Sequence, residues 1–438
     1  MDDLQRESIV RAVISELQRQ GYYGASQPQP SGNGNGRPRV PRKLSRIAII
    51  GGGHGGHAIS AHMALKGFSV NLFSFYEREI RAAREHGGVE VIGGVQGFGK
   101  LNVVTTSMEE AVGDAEMIMV VSPAVSHRSI ASLITPLLKD GQIIVLNPGR
   151  MGGAIEFAHT LRRYALRARV YVAETNTLIY AAEIRAPGKV EILKEKNKMR
   201  VAAFPARDND VVIPLLQQMY PQIEAAQNVL ETSMNNVGMV FHPAPQLLNT
   251  PTIERVERGE KGLRWYKDMV TKPICDMVME KIDKEKVAVT QCLGLDAWTA
   301  LRWVKESYGV TGNSLYEVLS SNPHVAGFSA PSDFWGWNNI LDEVPNNLVP
   351  MSSFGRALGI PTPAIDSIVN LACTMCNIDF WHEGRTVESL GLGGMTAQQM
   401  IQYVEQGSAE SSCRNCEICI CGSTSGATSQ ARATEGVV

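Results

Sequence analysis

The chain has 438 residues, 44% of them hydrophobic, and a formal charge of −2 at pH 7. That length predicts two or three domains with real cores, and the near-neutral charge offers no face for a polyanion, so nucleic acid is not an expected partner. No run reaches the roughly 18 apolar residues that a membrane span needs, and the N-terminus lacks a basic region followed by an apolar stretch, so a cytoplasmic protein is expected.

The first twenty residues form a separate module. Leu4, Ile9, Val10, Val13, Ile14 and Leu17 fall on one face at helical spacing, with charged residues elsewhere, which predicts a short amphipathic helix. Residues 21–45 are rich in Gly, Ser, Pro, Asn and Gln, a composition that cannot bury enough apolar surface to fold and predicts a flexible linker. A helix on a tether resembles the encapsulation peptides of enzymes packed into bacterial microcompartments, which implies docking onto a shell protein through residues 4–17. The other reading is a helix that packs on its own catalytic domain or on a second copy in a homo-oligomer.

The apolar run Ile47-Ala48-Ile49-Ile50 feeds into Gly51-Gly52-Gly53-His54-Gly55-Gly56, the G-x-G-x-x-G spacing of a dinucleotide site. Gly51 permits the tight turn, Gly53 lets the backbone approach a pyrophosphate, and Gly56 lets the next helix pack closely on the strand. With His54 at the helix start, free N–H groups face the phosphates. Ala58 to Lys66 has helical spacing, and Phe68 to Phe73 reads as a second buried strand. An acid at the end of that strand would select NAD over NADP. Ser74 stands there instead, with Arg78 nearby, so NAD and NADP both remain open.

Met117 to Val121 and Gln142 to Leu146 are apolar strands ending on Ser122-Pro123-Ala124 and Asn147-Pro148-Gly149-Arg150. Ligands bind beyond the carboxyl ends of such strands, so Pro123 and residues 147–153 are expected beside the nicotinamide half. A helix is expected from Met151-Gly152-Gly153-Ala154, with later strands at Val170 to Thr175 and Val190 to Leu193. The fold class is α/β: a Rossmann dinucleotide-binding domain at 46–208, followed by a mainly α-helical domain at 209–406. Cys275, Cys292, Cys373 and Cys376 lie in apolar or helical segments and are expected to be buried and reduced.

Within the second domain, His242 precedes Pro243, which biases it away from helical geometry and places the imidazole at an element boundary. A histidine at the rim of a cofactor cleft suits proton transfer beside hydride chemistry, although a lone histidine among apolar residues is often a core group. Residues 407–438 are Ser-, Gly- and Ala-rich and read as a disordered tail. Its Cys413, Cys416, Cys419 and Cys421 are close enough to bind zinc or an iron–sulfur cluster. Their last gap is tight and no scaffold surrounds them, so no metal site is assigned.

Taken together, the glycine fingerprint, Leu146-Asn147-Pro148-Gly149-Arg150 with Gly152-Gly153, Glu174-Thr175-Asn176-Thr177-Leu178, His242-Pro243-Ala244-Pro245 with Leu247-Leu248-Asn249, and Leu341-Asp342-Glu343-Val344-Pro345 with Leu348-Val349-Pro350 resemble the octopine/nopaline (opine) dehydrogenase family over residues 46–400. The resemblance implies a reductase that joins a 2-oxo acid to an amino group with hydride from NADH or NADPH. It implies His242 as acid/base, Asp342 or Glu343 as the carboxylate that orients it, and Arg150, Asn249 and Asn338 as substrate contacts. The family carries an arginine where this chain has Asn338, and a Glu-Asp order where it has Asp342-Glu343. Loss of that cation leaves the amino substrate open to a neutral amine, with Arg150, Arg185 or Arg264 as replacement cations. Phe334, Trp335 and Trp337 would make the pocket more apolar. The alternatives are a hydroxy-acid dehydrogenase on the same fold, with His242 as base, and a non-catalytic NAD(P)-binding scaffold recruited by the N-terminal helix.

Overall fold

The computed structural model describes residues 43–331 and 339–408. The expected N-terminal helix, the linker up to residue 42, the segment 332–338 with Asn338, and the four-cysteine tail lie outside the described residues.

Strands β1 (Arg46–Ile50), β2 (Ser69–Phe73), β5 (Val103–Thr105), β6 (Met117–Val120), β7 (Ile143–Leu146), β8 (Tyr171–Thr175), β11 (Met199–Phe204) and β12 (Ile223–Ala225) form one sheet in the order β12-β11-β8-β7-β6-β1-β2-β5. All neighbours are parallel except β11 and β8. From β1 the chain moves outward to β2 and returns to the other side at β6, which makes the β1/β6 boundary the switch point where a ligand cleft opens.

The central strands are buried on both faces, as parallel strands covered by helices must be. Alternation assigns each residue to one of two cores. Ala48, Ile50, Ile118, Val120, Ile144 and Leu146 join the core that runs into the helical half. Ile47, Ile49, Met117, Met119, Ile143 and Val145 face the other core, where the helix His54–Leu65 is covered by a second sheet. That sheet contains β3 (Gly88–Gly93), β4 (Gly97–Lys100), β9 (Tyr180–Ala186) and β10 (Lys189–Glu195), in the order β4-β3-β10-β9. The strand expected at Val190 to Leu193 therefore exists, but in this smaller sheet.

The α/β half also extends beyond the expected boundary at residue 208. The helix Asn209–Gln217 buries Val212, Leu215 and Leu216, and it leads to β12, which pairs with β11. Its helical periodicity belongs to a crossover connection, and the helical half begins after Ala225. That half is built from shorter helices around two long ones, Glu280–Cys292 and Pro363–Cys376. Among the described residues no helix is long and apolar enough to cross a membrane. Of the cysteines expected to be buried, Cys275 and Cys376 are, whereas Cys373 is half-buried and Cys292 is exposed at the end of its helix.

Candidate active site

A cleft of about 650 Å³ opens at the carboxyl ends of the central strands and is shared by both halves. Its glycine turn shows why each fingerprint position lacks a side chain. Gly51 has φ +137°, and a Cβ there would meet the Val121 carbonyl oxygen at 2.0 Å. A Cβ at Gly56 would meet the Gly51 oxygen at 1.8 Å, whereas one at Gly53 would meet nothing within 4 Å. Two glycines thus close the strand–helix corner and the third leaves open room over the helix N-terminus, as a pyrophosphate requires. His54 and Pro123 also line the cleft. His54 Nδ1 accepts from the Ile184 amide at 2.8 Å, and burial holds its pKa below the usual value, so it is a neutral tie to β9.

The end of β2 departs from the expectation. Arg78 is exposed and stacks on Tyr76, 5.3 Å from the ring centroid. The residue that enters the cleft is Glu79, whose carboxylate accepts from Ser74 Oγ at 2.5 Å. A Cβ on Gly52 would lie 2.7 Å from Glu79 Oε2, so the carboxylate sits directly on the glycine turn. An acid therefore occupies the region where the sequence shows only a serine.

In the same cleft, His242 Nδ1 lies 2.6 Å from Glu343 Oε1. Glu343 is fully buried, while the imidazole remains 30% exposed to the cleft. Glu343 also receives Arg150 Nη1 at 2.7 Å and the Asn347 amide. Burial pushes its carboxyl upward, but Arg150, His242 and Asn347 outweigh this and hold it below the usual carboxylate range. Asp342 takes Arg150 Nε at 3.1 Å and the Val125 amide at 3.1 Å. Burial raises its pKa despite Arg150, and the neighbouring Glu343 charge adds to the rise. The two carboxylates thus divide the work: Glu343 orients the imidazole, and Asp342 fixes the arginine.

Local sequence explains this convergence. His242 sits between the helices Gly238–Phe241 and Pro243–Leu248. Its φ of −109° and ψ of −57° lie in the right-handed helical region, so the element boundary expected from Pro243 is present but the non-helical backbone is not. Gly238 is required for access, because a Cβ there would lie 2.3 Å from Glu343 Oε1. Asp342 and Glu343 immediately precede a wide π turn, Val344–Leu348, a distortion often found at functional sites. Arg150 has φ +61°, a conformation that needs support in a non-glycine residue. The next amide supplies it, with Met151 N donating to the Asn346 carbonyl at 3.0 Å and to Asn347 Oδ1 at 3.1 Å.

Several expected substrate contacts are placed elsewhere. Arg150 lines the cleft, but its charge is taken by the two carboxylates. The Asn249 amide donates to the Pro245 and Met269 carbonyls, each at 2.8 Å, and the residue is not part of the cleft lining. It holds two backbone segments together, so the expectation of a substrate contact is not met. Arg185 pairs with Glu183 and Glu191, and Arg264 donates to the Gly327 carbonyl. Sequence reasoning missed Glu79, Asn347, Gly238 and Lys196. No group of three or more histidine, cysteine or acidic residues with metal-binding geometry occurs among the described residues.

A sequence profile of the NAD/NADP octopine/nopaline dehydrogenase α-helical domain matches residues 225–376, and one of the NAD-dependent glycerol-3-phosphate dehydrogenase N-terminus matches 46–149. The opine dehydrogenase of Arthrobacter sp. (strain 1C) is 36% identical over 359 residues, covering 82% of this chain and 98% of that protein. The protein ocs of Agrobacterium tumefaciens (strain Ach5) is 23% identical over 82% of this chain and 99% of its own length. The solved octopine dehydrogenase in complex with NADH and agmatine superposes with a TM-score of 0.64 at 20% identity, covering 83% of this chain and 98% of that one. The NADP+-bound yersinopine dehydrogenase superposes with a TM-score of 0.59 at 14% identity, covering 83% and 98%. The glycine turn, the division into a Rossmann and a helical half and the identity to the Arthrobacter protein agree, and the chain belongs to the opine dehydrogenase family, NAD(P)-dependent oxidoreductases acting on CH–NH bonds.

Proposed function

We propose that the protein condenses a 2-oxo acid with the amino group of an amino acid or amine and reduces the product to a secondary amine. The observation that carries this reading is the His242–Glu343 pair, 2.6 Å apart, with His242 lining the same cleft as the glycine turn. Solved octopine dehydrogenases bind NADH with agmatine, L-arginine or pyruvate, which are an amine, an amino acid and a 2-oxo acid.

Condensation forms a C–N bond and releases the carbonyl oxygen as water, so a proton must leave the incoming ammonium and protons must reach the departing oxygen. His242 performs this transfer through Nε2, because Nδ1 is engaged by Glu343. The buried carboxylate holds the ring in one orientation with Nε2 left for the proton. Arg150 keeps Glu343 ionised and fixed. The dinucleotide, when bound, supplies the hydride to the imine carbon. Glycines 51, 53 and 56 with the N-terminus of the helix His54–Leu65 would hold its pyrophosphate.

The test is absorbance-monitored oxidation of NADH and NADPH with pyruvate or another 2-oxo acid, alone and then with a panel of amino acids and simple amines. Oxidation that requires both partners is the expected result. Oxidation with the oxo acid alone would replace this reading with a hydroxy-acid dehydrogenase.

The helix expected at residues 4–17 supports a docking role in a microcompartment or a homo-oligomer. Deleting residues 1–20 should abolish co-sedimentation with a shell partner while leaving turnover intact. Loss of folding instead would assign the helix to the enzyme's own core.

A further inference from the structure

The cleft contains a second cation that the proton chemistry leaves unused. Lys196, between β10 and β11, is 5% exposed, yet it lines the cleft together with His242 and Arg150. Its ammonium donates to Thr177 Oγ1 at 2.8 Å and to the Leu178 carbonyl at 2.5 Å, and it lies 5.1 Å from the Trp303 ring centroid. None of these partners is charged, and among the described residues no carboxylate forms an ion pair with it. The other buried cations contrast with this: Arg150 is held by Asp342 and Glu343, Arg385 by Glu156 and Lys286 by Asp283.

An ammonium withdrawn from water without a counter-ion is costly, and it either loses its proton or is completed by an anion. Burial, reinforced by Arg150, brings Lys196 down to about 7, so an incoming negative charge meets a group that is still partly protonated at neutral pH. Phe241, Tyr266, Trp303, Tyr308 and Phe328 line the same cleft, and this apolar wall would strengthen a charge pair by excluding water. A lysine that served only to tie the Thr177–Leu178 segment would have no need to face the cleft.

We propose that Lys196 binds the carboxylate of a substrate in this cleft. The proposal rests on the reductive condensation described above and deepens it. Of the expected cations, Arg150 and Arg185 are paired with carboxylates, and Arg264, whose guanidinium donates to the Gly327 carbonyl, does not line the cleft, so Lys196 supplies the charge that an acid substrate requires.

The test is isothermal titration of the full-length protein–NADH complex with oxamate, an analogue of a 2-oxo acid, and separately with L-alanine, L-leucine and L-phenylalanine. At least one of these carboxylates should bind. Lys196→Met should weaken that binding roughly tenfold to a hundredfold, while Lys196→Arg retains most of it and NADH affinity and melting temperature stay unchanged in both variants. Unchanged carboxylate affinity in Lys196→Met would overturn the proposal, as would the absence of carboxylate binding by the unmodified complex. Parallel loss of NADH, carboxylate and thermal stability in both variants would make Lys196 a tie within the loop and also overturn it. If carboxylate binding depends on Lys196 but no substrate pair is turned over, the condensation reading fails and the binding role stands.

Discussion

The Ser74 hydroxyl donates to the Glu79 carboxylate at 2.5 Å, and this bond sets a negative charge on the glycine turn. An acid in that region accepts from the ribose 2′-hydroxyl and repels a 2′-phosphate. NADH should therefore be preferred over NADPH by at least about tenfold in kcat/KM. Glu79→Gln should narrow the gap mainly by improving NADPH. The ratio of the two kcat/KM values in wild type and variant decides the matter, and an unchanged ratio would remove Glu79 from cofactor selection.

His242→Ala should lower turnover by roughly two orders of magnitude or more and leave NADH affinity nearly unchanged, because the ring is held by Glu343 at 2.6 Å in the helical half and is no part of the glycine turn. Steady-state kinetics combined with NADH fluorescence titration separates the two effects. Near-wild-type turnover would exclude His242 from the mechanism.

A single methyl group placed behind the pair should have a similar outcome. Gly238→Ala puts a Cβ 2.3 Å from Glu343 Oε1 and 2.6 Å from Arg150 Nη1, so the carboxylate must shift and the imidazole loses its orientation. We expect kcat to fall at least about tenfold, since misplacement by an ångström can cost a hundredfold, with NADH binding retained. Unimpaired kcat would show that the orientation of Glu343 is dispensable.

Stability should decline toward acid pH through His127. It is fully buried against Phe157, and burial, aided by the Arg385 charge, lowers its pKa to about 3. The unfolded chain takes up this proton near pH 6.5 and the folded chain does not, so stability is complete above 6.5 and is lost as pH falls toward 3. The contribution lost by pH 5 is about 2 kcal/mol. Glu174, raised by burial to about 7, acts in the opposite direction, losing stability as pH rises from 4.5 to 7. The informative measurement is therefore the difference in melting temperature between wild type and His127→Leu from pH 7 to 5, which should shrink as the pH falls. A constant difference would contradict the assignment.

What could be read from the chain was what local pattern determines. The fingerprint glycines, the strand ends at Pro123 and Arg150 and the break at His242-Pro243 each depend on neighbours within a few residues, and Gly51, Gly53, Pro123, Arg150 and His242 line one cleft. Glu79 escaped notice because it lies five residues beyond Ser74 and reaches the turn only when the first turn of the helix Glu77–His86 folds back. Lys196 is hidden within Lys194-Glu195-Lys196-Asn197-Lys198, a charge-rich stretch that reads as a solvated turn until the fold buries its middle. Asn249 misled in the opposite sense: the family resemblance implied a substrate contact, but its amide satisfies the Pro245 carbonyl one turn back and the Met269 carbonyl twenty residues on. The boundary at 208 failed because a crossover helix and a helical domain share the same 3.6-residue period.

Arg150 comes from the dinucleotide half, and both of its carboxylate partners come from the other half. Severed from residues 46–225, the helical portion would keep its histidine and both acids but set Asp342 beside Glu343 with no positive charge between them, and one of the two would take up a proton to relieve the repulsion. The acid–base equipment is thus not a possession of either half. It exists only at their junction, so grafting the helical portion onto a different dinucleotide-binding domain would transfer the histidine without its chemistry unless an arginine came with the new partner.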